Sequence, residues 1–444
     1  MKASLAQWFR SHNVMLANAG SLVGTSAVTS GLGFVYWGVV AREFPAEAIG
    51  LGSATISAMT LLGTFCMLGL GTLLMGELSR QPGKEISLVS TALLVVFVVG
   101  GCSGIAFALV APFLSVSFQP LRVNIANILL FAVGVGLTAS VLVLDQALIG
   151  LLRGNLQLWR NTFFSIIKLV AILVVVLGLF HKAGLTIYMT WTIANALSLV
   201  ILGGFWLWRG GRFKATHQPQ WKWLRKLGGS ALQHHIINLT LVAPTLILPV
   251  LVTIMLSAQT NAWFYVAGML GSFIAIVPIA LTAVLYATSS AQPEILTKKI
   301  RLTLGLSMIA ILLANVVILF GSRQILSIFG HEYVQQATLS LQMQALSIFP
   351  GAIKDHFVAV SRIQGRMHSI MIPIIIGSLF ELSAAALGAH LGGLAGLNFG
   401  WFIAMCIEAG FMFRTVCKAV WPTTKSITGN PLIVLSQSIP NRKQ

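Results

Sequence analysis

Charged side chains are scarce in this sequence, and acidic ones are scarcer still. Only 9% of the 444 residues are charged, and just 10 are Asp or Glu, whereas a soluble domain carries roughly 25% charged residues. With 57% of the residues hydrophobic, a water-soluble fold of this length has too little polar surface to cover its core. The composition therefore excludes a soluble globular protein and predicts an integral membrane protein.

Cysteine and the motifs of enzymes are equally rare. The four cysteines lie inside apolar stretches without metal-ligand spacing, so we expect core residues and neither disulfides nor a metal site: Cys66, Cys102, Cys406 and Cys417. No Gly-rich phosphate loop ending in Lys-Ser/Thr is present, and no cofactor is expected. A membrane-embedded glycan-assembly enzyme would need carboxylates at a cleft, but the acids of the predicted external loops are dispersed: Glu43, Glu47 and Glu332.

Long apolar stretches follow one another almost from end to end. A helix needs roughly 20 mostly apolar residues to cross a bilayer, and such stretches occupy 14–40, 46–75, 86–112, 124–151, 158–180, 185–208, 231–256, 261–288, 302–321, 336–360, 367–389 and 393–418. They lack the alternation of membrane β-strands, and the first is too long for a secretory signal. The sequence predicts an all-α integral membrane protein with about twelve transmembrane helices.

The net charge of +18 comes from cations that lie mostly between the spans. With a cytoplasmic N-terminus, all but six of the 28 Lys and Arg fall in or beside cytoplasmic segments, as the positive-inside rule requires. This distribution predicts a multi-pass membrane protein with both termini cytoplasmic, and it explains the charge without nucleic acid. Loop 209–230 combines six cations with Trp221 and Trp223, so membrane lipids are expected partners.

The same basic loop divides the chain into parts. We expect an N-terminal six-helix lobe, a cytoplasmic linker, a C-terminal six-helix lobe and a cytoplasmic tail over 1–208, 209–230, 231–420 and 421–444. Six spans in each lobe relate the lobes by an axis along the membrane normal and leave a central cleft between them. Pro244 and Pro249 in the seventh span are either static kinks or a hinge.

Two stretches in the first half resemble a known family. The sequence GVVAREFPAEAIG at 38–50 is followed by LGLGT at 68–72 and ELSR at 77–80. A second stretch, DQALIGLLRGNLQLWRN at 145–161, runs into Lys168. These segments resemble the Wzx-like polysaccharide and O-antigen flippases of the MOP superfamily, which also contains the MATE exporters.

The resemblance implies two six-helix lobes that open alternately to the two sides of the membrane. Its implied substrate is a lipid-linked oligosaccharide moved from the cytoplasmic to the outer leaflet of the bacterial inner membrane, and its implied partners include polysaccharide-assembly proteins. A cation-coupled drug exporter of the same superfamily is the alternative. Such exporters usually rely on a carboxylate in the first helix of a lobe, and residues 13–41 contain no Asp or Glu.

Ionisable side chains within the spans are candidates for ion pairing or transport, because each costs on the order of 2.5–3.5 kcal/mol to insert. They are Asp145, Lys168, Lys354, Asp355, Glu381 and Glu408. With the turn between the fourth and fifth spans placed near Asn155, Asp145 and Lys168 have similar depths, and we expect them to pair for either a structural or a functional purpose. Glu381 and Glu408 are expected within reach of Lys354 or of the histidines.

Polar and aromatic side chains should line the substrate path, since a sugar offers hydroxyls and apolar faces. The candidates lie in spans 1, 7 and 8: Asn18, Ser21, Thr25, Ser26, Thr29, Ser30, Tyr36, Trp37, Gln233, His234, His235, Asn238, Thr240, Thr245, Tyr265, Ser272, Thr282 and Tyr286. Three cations are expected at the cytoplasmic entrance, where they could meet a pyrophosphate linkage: Arg80, Arg153 and Arg160.

Overall fold

The computed structural model of the chain describes residues 2–78, 83–179, 181–208, 229–289 and 296–420. Within these ranges the secondary structure is helical, and no strand occurs. Almost all of the predicted linker and the whole predicted tail lie outside the described residues. The division of the chain into two six-helix lobes stays a prediction.

Thirteen helices account for most of the described chain. The first half consists of α1 Lys2–Glu43, α2 Ala46–Cys66, α3 Leu70–Glu77, α4 Glu85–Leu114, α5 Ile125–Gly150, α6 Gly154–Val174 and α7 Gly184–Trp208. The second half consists of α8 Gly229–Met255, α9 Ala258–Ser289, α10 Leu296–Ser327, α11 His331–Gln336, α12 Thr338–Ile363 and α13 Met367–Val420. Short 3-10 and π segments occupy Val116–Leu121 and Val175–Leu179.

The predicted number of crossings is confirmed. Nine helices among the described residues are long and apolar enough to cross a membrane. One of them, α13, leaves helical geometry at Gly392 and Gly393 and folds back on itself, so that Gly388 packs against Gly396. It therefore supplies two crossings. The 42 residues of α1 and the 26 of α12 also suffice for a crossing, which brings the described part of the chain to twelve.

The second predicted span is interrupted, contrary to the continuous helix expected over 46–75. Helix α2 ends at Cys66, and α3 begins at Leu70. Between them Leu68 and Gly69 adopt positive φ angles of 52° and 76°, a left-handed conformation that suits glycine and is costly for leucine. The break lies where Gly69 closely approaches the backbone of Ala231 in α8, so it coincides with a contact between the two halves.

The turn between α5 and α6 determines which side chains face each other. Helix α5 ends at Gly150 and α6 starts at Gly154, so the turn occupies residues 151–153. The sequence analysis placed it near Asn155, several residues too late. A helix end is the least certain feature of a sequence pattern, and here the shift changes the residue that Asp145 meets.

One end of the bundle, here called the distal end, joins the two halves through hydrogen bonds. It lies opposite the end at which α10 begins and α13 finishes, where Arg301 donates to the carbonyl of Val420. At the distal end Arg42 Nε donates to the carbonyl of Ile328 at 2.7 Å. Asn261 Nδ2 donates to the carbonyl of Gly50 at 2.8 Å and to Ser53 Oγ at 3.1 Å.

Aromatic rings extend this contact toward the middle of the bundle. The rings of Trp37 on α1 and Tyr265 on α9 lie 4.7 Å apart between centroids. Phe34 on α1 meets Phe329, just beyond α10, edge to face at 5.5 Å. These rings and the hydrogen bonds of Arg42 and Asn261 are together called the distal seam. They join the two halves at this end of the bundle.

Candidate functional site

A cavity of about 270 Å³ lies between the two halves, beside the distal seam. Helices α1, α6 and α7 contribute its walls from the first half, and α9 contributes from the second. Its lining residues are Thr29, Ser30, Gly33, Phe34, Trp37, Asn161, Phe164, Ser165, Lys168, Trp191, Met269, Ser272 and Phe273. This set, called the central cavity, mixes aromatic rings with small polar groups.

The polar wall of the central cavity comes from one face of α6. Asn161, Ser165 and Lys168 follow one another at intervals of four and three residues, and this spacing aligns side chains on one side of a helix. The Ser165 hydroxyl is buried and has no hydrogen-bond partner among the described residues. It is therefore available to a ligand in the cavity.

The ammonium of Lys168 sits in a cage of three aromatic rings. Its Nζ lies 4.0 Å from the ring centroid of Trp191, 4.8 Å from that of Tyr36 and 5.1 Å from that of Phe164. The side chain is buried, with 4% relative exposure, and within the described residues no carboxylate pairs with it. Ring quadrupoles stabilise a cation in such a position but leave its positive charge uncompensated.

The floor of this cage is fixed by buried contacts within the first half. Tyr36 is completely buried, and its hydroxyl shares a 2.8 Å hydrogen bond with Thr190 Oγ1 on α7. Its ring meets those of Trp37 and Trp191 edge to face. Rings held in this way have little freedom to move away from the cation, so the cage is pre-organised around Lys168.

The expected pairing of Asp145 with Lys168 is wrong. Asp145 instead accepts two hydrogen bonds from Arg160, from Nη2 at 2.7 Å and from Nε at 2.9 Å. With the turn at residues 151–153, Asp145 and Arg160 are at similar depths. Lys168 lies eight residues beyond Arg160, about 12 Å deeper at 1.5 Å per residue.

Arg160 is consequently not an entrance cation, because only 2% of its side chain is exposed. Its pair with Asp145 is joined by Asn161, which accepts from Arg160 at 2.8 Å and donates to Asp145 at 3.2 Å. Since Asn161 also lines the central cavity, this pair braces one wall. Arg153 is exposed at the start of α6, and Arg80 lies outside the described residues.

A second buried cation, Lys354, has the surroundings that the sequence predicted. Its Nζ lies 2.7 Å from Glu381 Oε1 and 3.1 Å from Glu408 Oε2, on the two arms of α13. Trp401 Nε1 donates to Glu381 Oε2 at 3.0 Å. None of these four side chains is among the lining residues of the central cavity. They are called the carboxylate cluster.

Two neighbours of Lys354 on α12 do not join the carboxylate cluster. Asp355 is partly buried and follows Lys354 directly, so the two side chains project about 100° apart. His356 is buried, and its ring nitrogens contact the Ala352 carbonyl at 2.8 Å and Thr303 Oγ1 on α10 at 3.3 Å. The histidine is thus a satisfied packing residue in the second half.

The predicted path-lining residues fall in three places. Thr29, Ser30, Trp37 and Ser272 line the central cavity, and Tyr36 forms the floor of the cage. Tyr265 belongs to the distal seam, against Trp37. Other predicted residues are not among those that line the cavity: Thr25 is half-buried, His234 and Tyr286 lie near the opposite end of α8 and α9, and the side chain of Asn18 is outside the described residues.

Two candidates on α8 contact other helices instead of the central cavity. His235 is buried, and its Nε2 lies 3.4 Å from the carbonyl of Phe65, so it joins α8 to the end of α2. Asn238 is exposed and accepts a hydrogen bond from Arg362 at the end of α12. Phe164 and Trp191, which surround Lys168 together with Tyr36, were not among the predicted residues. The spacing of polar residues along α6 was the signal that could have located this face.

Comparisons with known proteins identify the fold. No protein-family model matches the chain, and no curated protein matches it. A solved structure described as the inward-facing conformation of a multidrug resistance MATE family transporter of the MOP superfamily has a TM-score of 0.64 at 15% identity, covering 91% of this chain and 100% of that one. A MOP superfamily transporter from Pyrococcus furiosus, whose description reports reverse polarity of its binding pocket, has a TM-score of 0.61 at 13% identity, with 92% and 95% covered.

These structures align with almost the whole chain, although their sequence identity to it is low. The agreement includes an outward-facing MATE family structure, with a TM-score of 0.61 at 12% identity over 92% of this chain and 95% of that one. Together with the twelve crossings, this similarity shows that the chain has the fold of the MATE transporters of the MOP superfamily.

Proposed function

We propose that this protein moves a lipid-linked oligosaccharide with an anionic linkage from the cytoplasmic to the outer leaflet of a bacterial inner membrane, by alternating access and without catalysis. The observation that supports this function best is the composition of the central cavity. It contains a buried cation, Lys168, and its lining residues include no Asp or Glu. An organic cation or a coupling metal ion would be repelled there, whereas a phosphate would meet a complementary charge.

The aromatic rings of the cavity suit the other part of such a substrate. Sugars stack their apolar faces on aromatic side chains and use hydroxyls for hydrogen bonds. Trp37, Phe164 and Trp191 supply rings, and Ser165 supplies a buried hydroxyl without a partner in the described chain. A phosphate that reached Lys168 would replace weak cation–π contacts with a charge-assisted hydrogen bond, which is the stronger interaction.

The distal seam supports alternating access. Because it joins the halves beside the central cavity, we expect a substrate to enter the cavity from the other end while the seam is intact. With both termini in the cytoplasm, as the charge distribution favours, this arrangement is an inward-facing state. Release to the outer leaflet then requires the contacts of Asn261 with Gly50 and Ser53 to open.

Gene deletion and complementation test the function. We expect a deletion strain to lose surface glycan and to accumulate lipid-linked oligosaccharide in the cytoplasmic leaflet. Wild-type protein should restore both, Lys168→Met should fail, and the matched variant Lys182→Met should succeed, because Lys182 is exposed and remote from the cavity. Unchanged glycan and lipid-linked pools in the deletion strain would disprove the proposal. Ethidium efflux dependent on the protein would indicate the drug-exporter alternative.

Disulfide trapping tests alternating access. In a background without other cysteines, Ser53→Cys with Asn261→Cys should form a cross-link over the distal seam and block transport until reductant is added. The control pairs native Cys66 with Ser103→Cys, since these side chains lie 3.3 Å apart within the first half. Its cross-link should leave transport intact. Continued transport by a fully cross-linked Ser53–Asn261 variant would rule out opening of the seam.

A further inference from the structure

The carboxylate cluster contains more acid than base. Lys354 contacts both Glu381 and Glu408, and in these contacts the three side chains are between 3% and 9% exposed. If both glutamates were ionised, the cluster would carry a net charge of −1 inside the membrane-spanning part of the protein. An uncompensated buried charge is costly in surroundings without water.

The two glutamates differ in how well their oxygens are bonded. Both carboxylate oxygens of Glu381 accept a hydrogen bond, one from Lys354 at 2.7 Å and the other from Trp401 at 3.0 Å. In Glu408 only Oε2 accepts a hydrogen bond, from Lys354 at 3.1 Å. Its Oε1 is buried without a hydrogen-bond partner in the described chain and lies so close to Gly377 that a methyl group there would collide with it. Glu408 is therefore the less stabilised carboxylate.

We propose that the carboxylate cluster is a proton-binding site, in which Glu408 carries one exchangeable proton while Lys354 and Glu381 remain an ion pair. Binding a proton converts the Glu408 carboxylate to a neutral carboxylic acid and brings the net charge of the cluster to zero. The ammonium of Lys354 already lies between the carboxylates, where a metal ion would have to bridge them. Among the described residues no group of three His, Cys, Asp or Glu side chains could hold a metal ion.

Other titratable groups on the neighbouring helices have their own partners or lie apart. His356 on α12 is bonded to Ala352 and to Thr303 of α10, and Asp355 projects away from Lys354. Helix α8 packs against α13 through the bond from Ser378 Oγ to the Thr240 carbonyl, and its two histidines lie near its start. The nearest cations toward the ends of α10 and α12 include Arg301, which bonds Val420, and Arg362, which bonds Asn238.

A recess of about 330 Å³ gives access to Glu408 from the side of the bundle. It lies between α12 and the two arms of α13 and is lined by Phe357, Pro373, Ile376, Glu408, Phe411, Met412 and Thr415. Ile376 and Phe411 are 61% and 78% exposed, so the recess opens on the surface that the fold directs at lipid. An apolar reagent can therefore approach Glu408, and an apolar wall favours its neutral form.

The location of this site separates it from the proposed substrate path. It lies in the second half and shares no lining residue with the central cavity. Loss of the proton restores the unbalanced charge, which favours any rearrangement of α12 against α13 that admits water. Proton binding is thereby linked to the packing of these helices, whatever substrate the central cavity accepts.

Chemical labelling tests which glutamate holds the proton. Dicyclohexylcarbodiimide modifies protonated carboxyl groups in apolar surroundings, and the modified residue can be identified by mass spectrometry of the purified protein. We expect Glu408 to be labelled and Glu381 to be spared, with labelling that decreases as the pH rises. Glu381→Gln should also lower labelling of Glu408, because Glu408 then becomes the sole partner of Lys354 and gives up its proton.

Infrared spectroscopy provides a second readout that needs neither reagent access nor substrate. The wild-type protein should show the C=O stretch of a protonated carboxyl group that is absent from both Glu408→Gln and Glu381→Gln. Gly377→Ala, which displaces Glu408, should shift this band, whereas Gly410→Ala should not, since no heavy atom lies within 4 Å of a Cβ at Gly410. Absence of any Glu408-dependent band throughout the pH range of the folded protein would overturn the proposal, as would labelling of Glu381 in preference to Glu408. Neither result would bear on the oligosaccharide function.

Discussion

Lys168 and Lys354 are both buried within the membrane-spanning part of the protein, but they differ in the acids around them. Lys168 has three aromatic rings and, in the described chain, no carboxylate. Lys354 has two carboxylates. The first site has a positive charge that an anionic ligand can neutralise, and the second has an excess negative charge that a proton can neutralise. The two proposals therefore assign ligands of opposite charge to the two lysine sites, an anion to the central cavity and a proton to the carboxylate cluster.

Removing Lys354 should have the largest effect on stability. Lys354→Met leaves Glu381 and Glu408 facing each other without a cation, and breaking a buried ion pair in this way typically costs about 3–5 kcal/mol. We expect a large fall in the apparent melting temperature of the purified protein in detergent. The triple variant Lys354→Met, Glu381→Gln, Glu408→Gln should regain most of the loss, because no charged or titratable side chain then remains in the cluster. Full stability of the single variant would contradict this assignment of charge.

Asp145→Asn should have the next largest effect. It removes the charge that faces Arg160, whose Nη1 already lacks a hydrogen-bond partner in the described chain, and we expect a loss of about 2–3 kcal/mol. Arg160 belongs to the same half as Lys168 but has a counter-ion. Comparing Arg160 with Lys168 therefore tests the effect of a carboxylate partner on two cations of the same half. The melting temperature measures the change in stability. A loss of less than about 0.5 kcal/mol would show that the pair is open to water.

Lys168→Met should change stability by about 1 kcal/mol or less. The variant loses cation–π contacts worth about 0.5–2 kcal/mol, but it also relieves the cost of a buried ammonium without a counter-ion. Its melting temperature should stay near that of the wild type while transport is lost. If this variant instead unfolded as Lys354→Met does, a hidden counter-ion would have to be present, and the contrast between the two lysines would disappear.

Lys182→Met should have the smallest effect. Lys182 pairs with Glu43 at 2.9 Å, but the two side chains are 37% and 42% exposed, and exposed pairs contribute about 0–1 kcal/mol. Neither the melting temperature nor transport should change measurably. A clear loss in either measurement would mean that the distal end depends on surface charge, and the ranking of the four cations by their surroundings would need revision.

The sequence alone predicts the spans and the carboxylate cluster, because the spans depend only on apolar length and the cluster depends only on the depth of a few charged residues in the membrane. Apolar length fixes the number of crossings, and Lys354 has only a few acids at a similar depth, of which Glu381 and Glu408 follow on the next two spans. The pairing of Asp145 fails because it depends on where one turn lies. Moving that turn from Asn155 to residues 151–153 replaces Lys168 with Arg160 as the residue at matching depth.

The central cavity is harder to predict from the sequence than the pairing of Asp145. Its cage combines Tyr36 of α1, Phe164 and Lys168 of α6 and Trp191 of α7, and no local pattern specifies which faces of three separate helices meet. The polar spacing of α6 marks the face that is turned inward. The identity of its partners depends on tertiary packing, so the uncompensated state of Lys168 became visible only in the structure.

The fold-back of α13 has a consequence for how the protein is made. Because synthesis proceeds from the N-terminus, Lys354 leaves the ribosome before either glutamate. The tight reversal at Gly392 and Gly393 then delivers both acids on one hairpin. A chain that stops after α12 therefore retains Lys354 without either of its carboxylate partners, and the ion pair forms only when the last hairpin is complete.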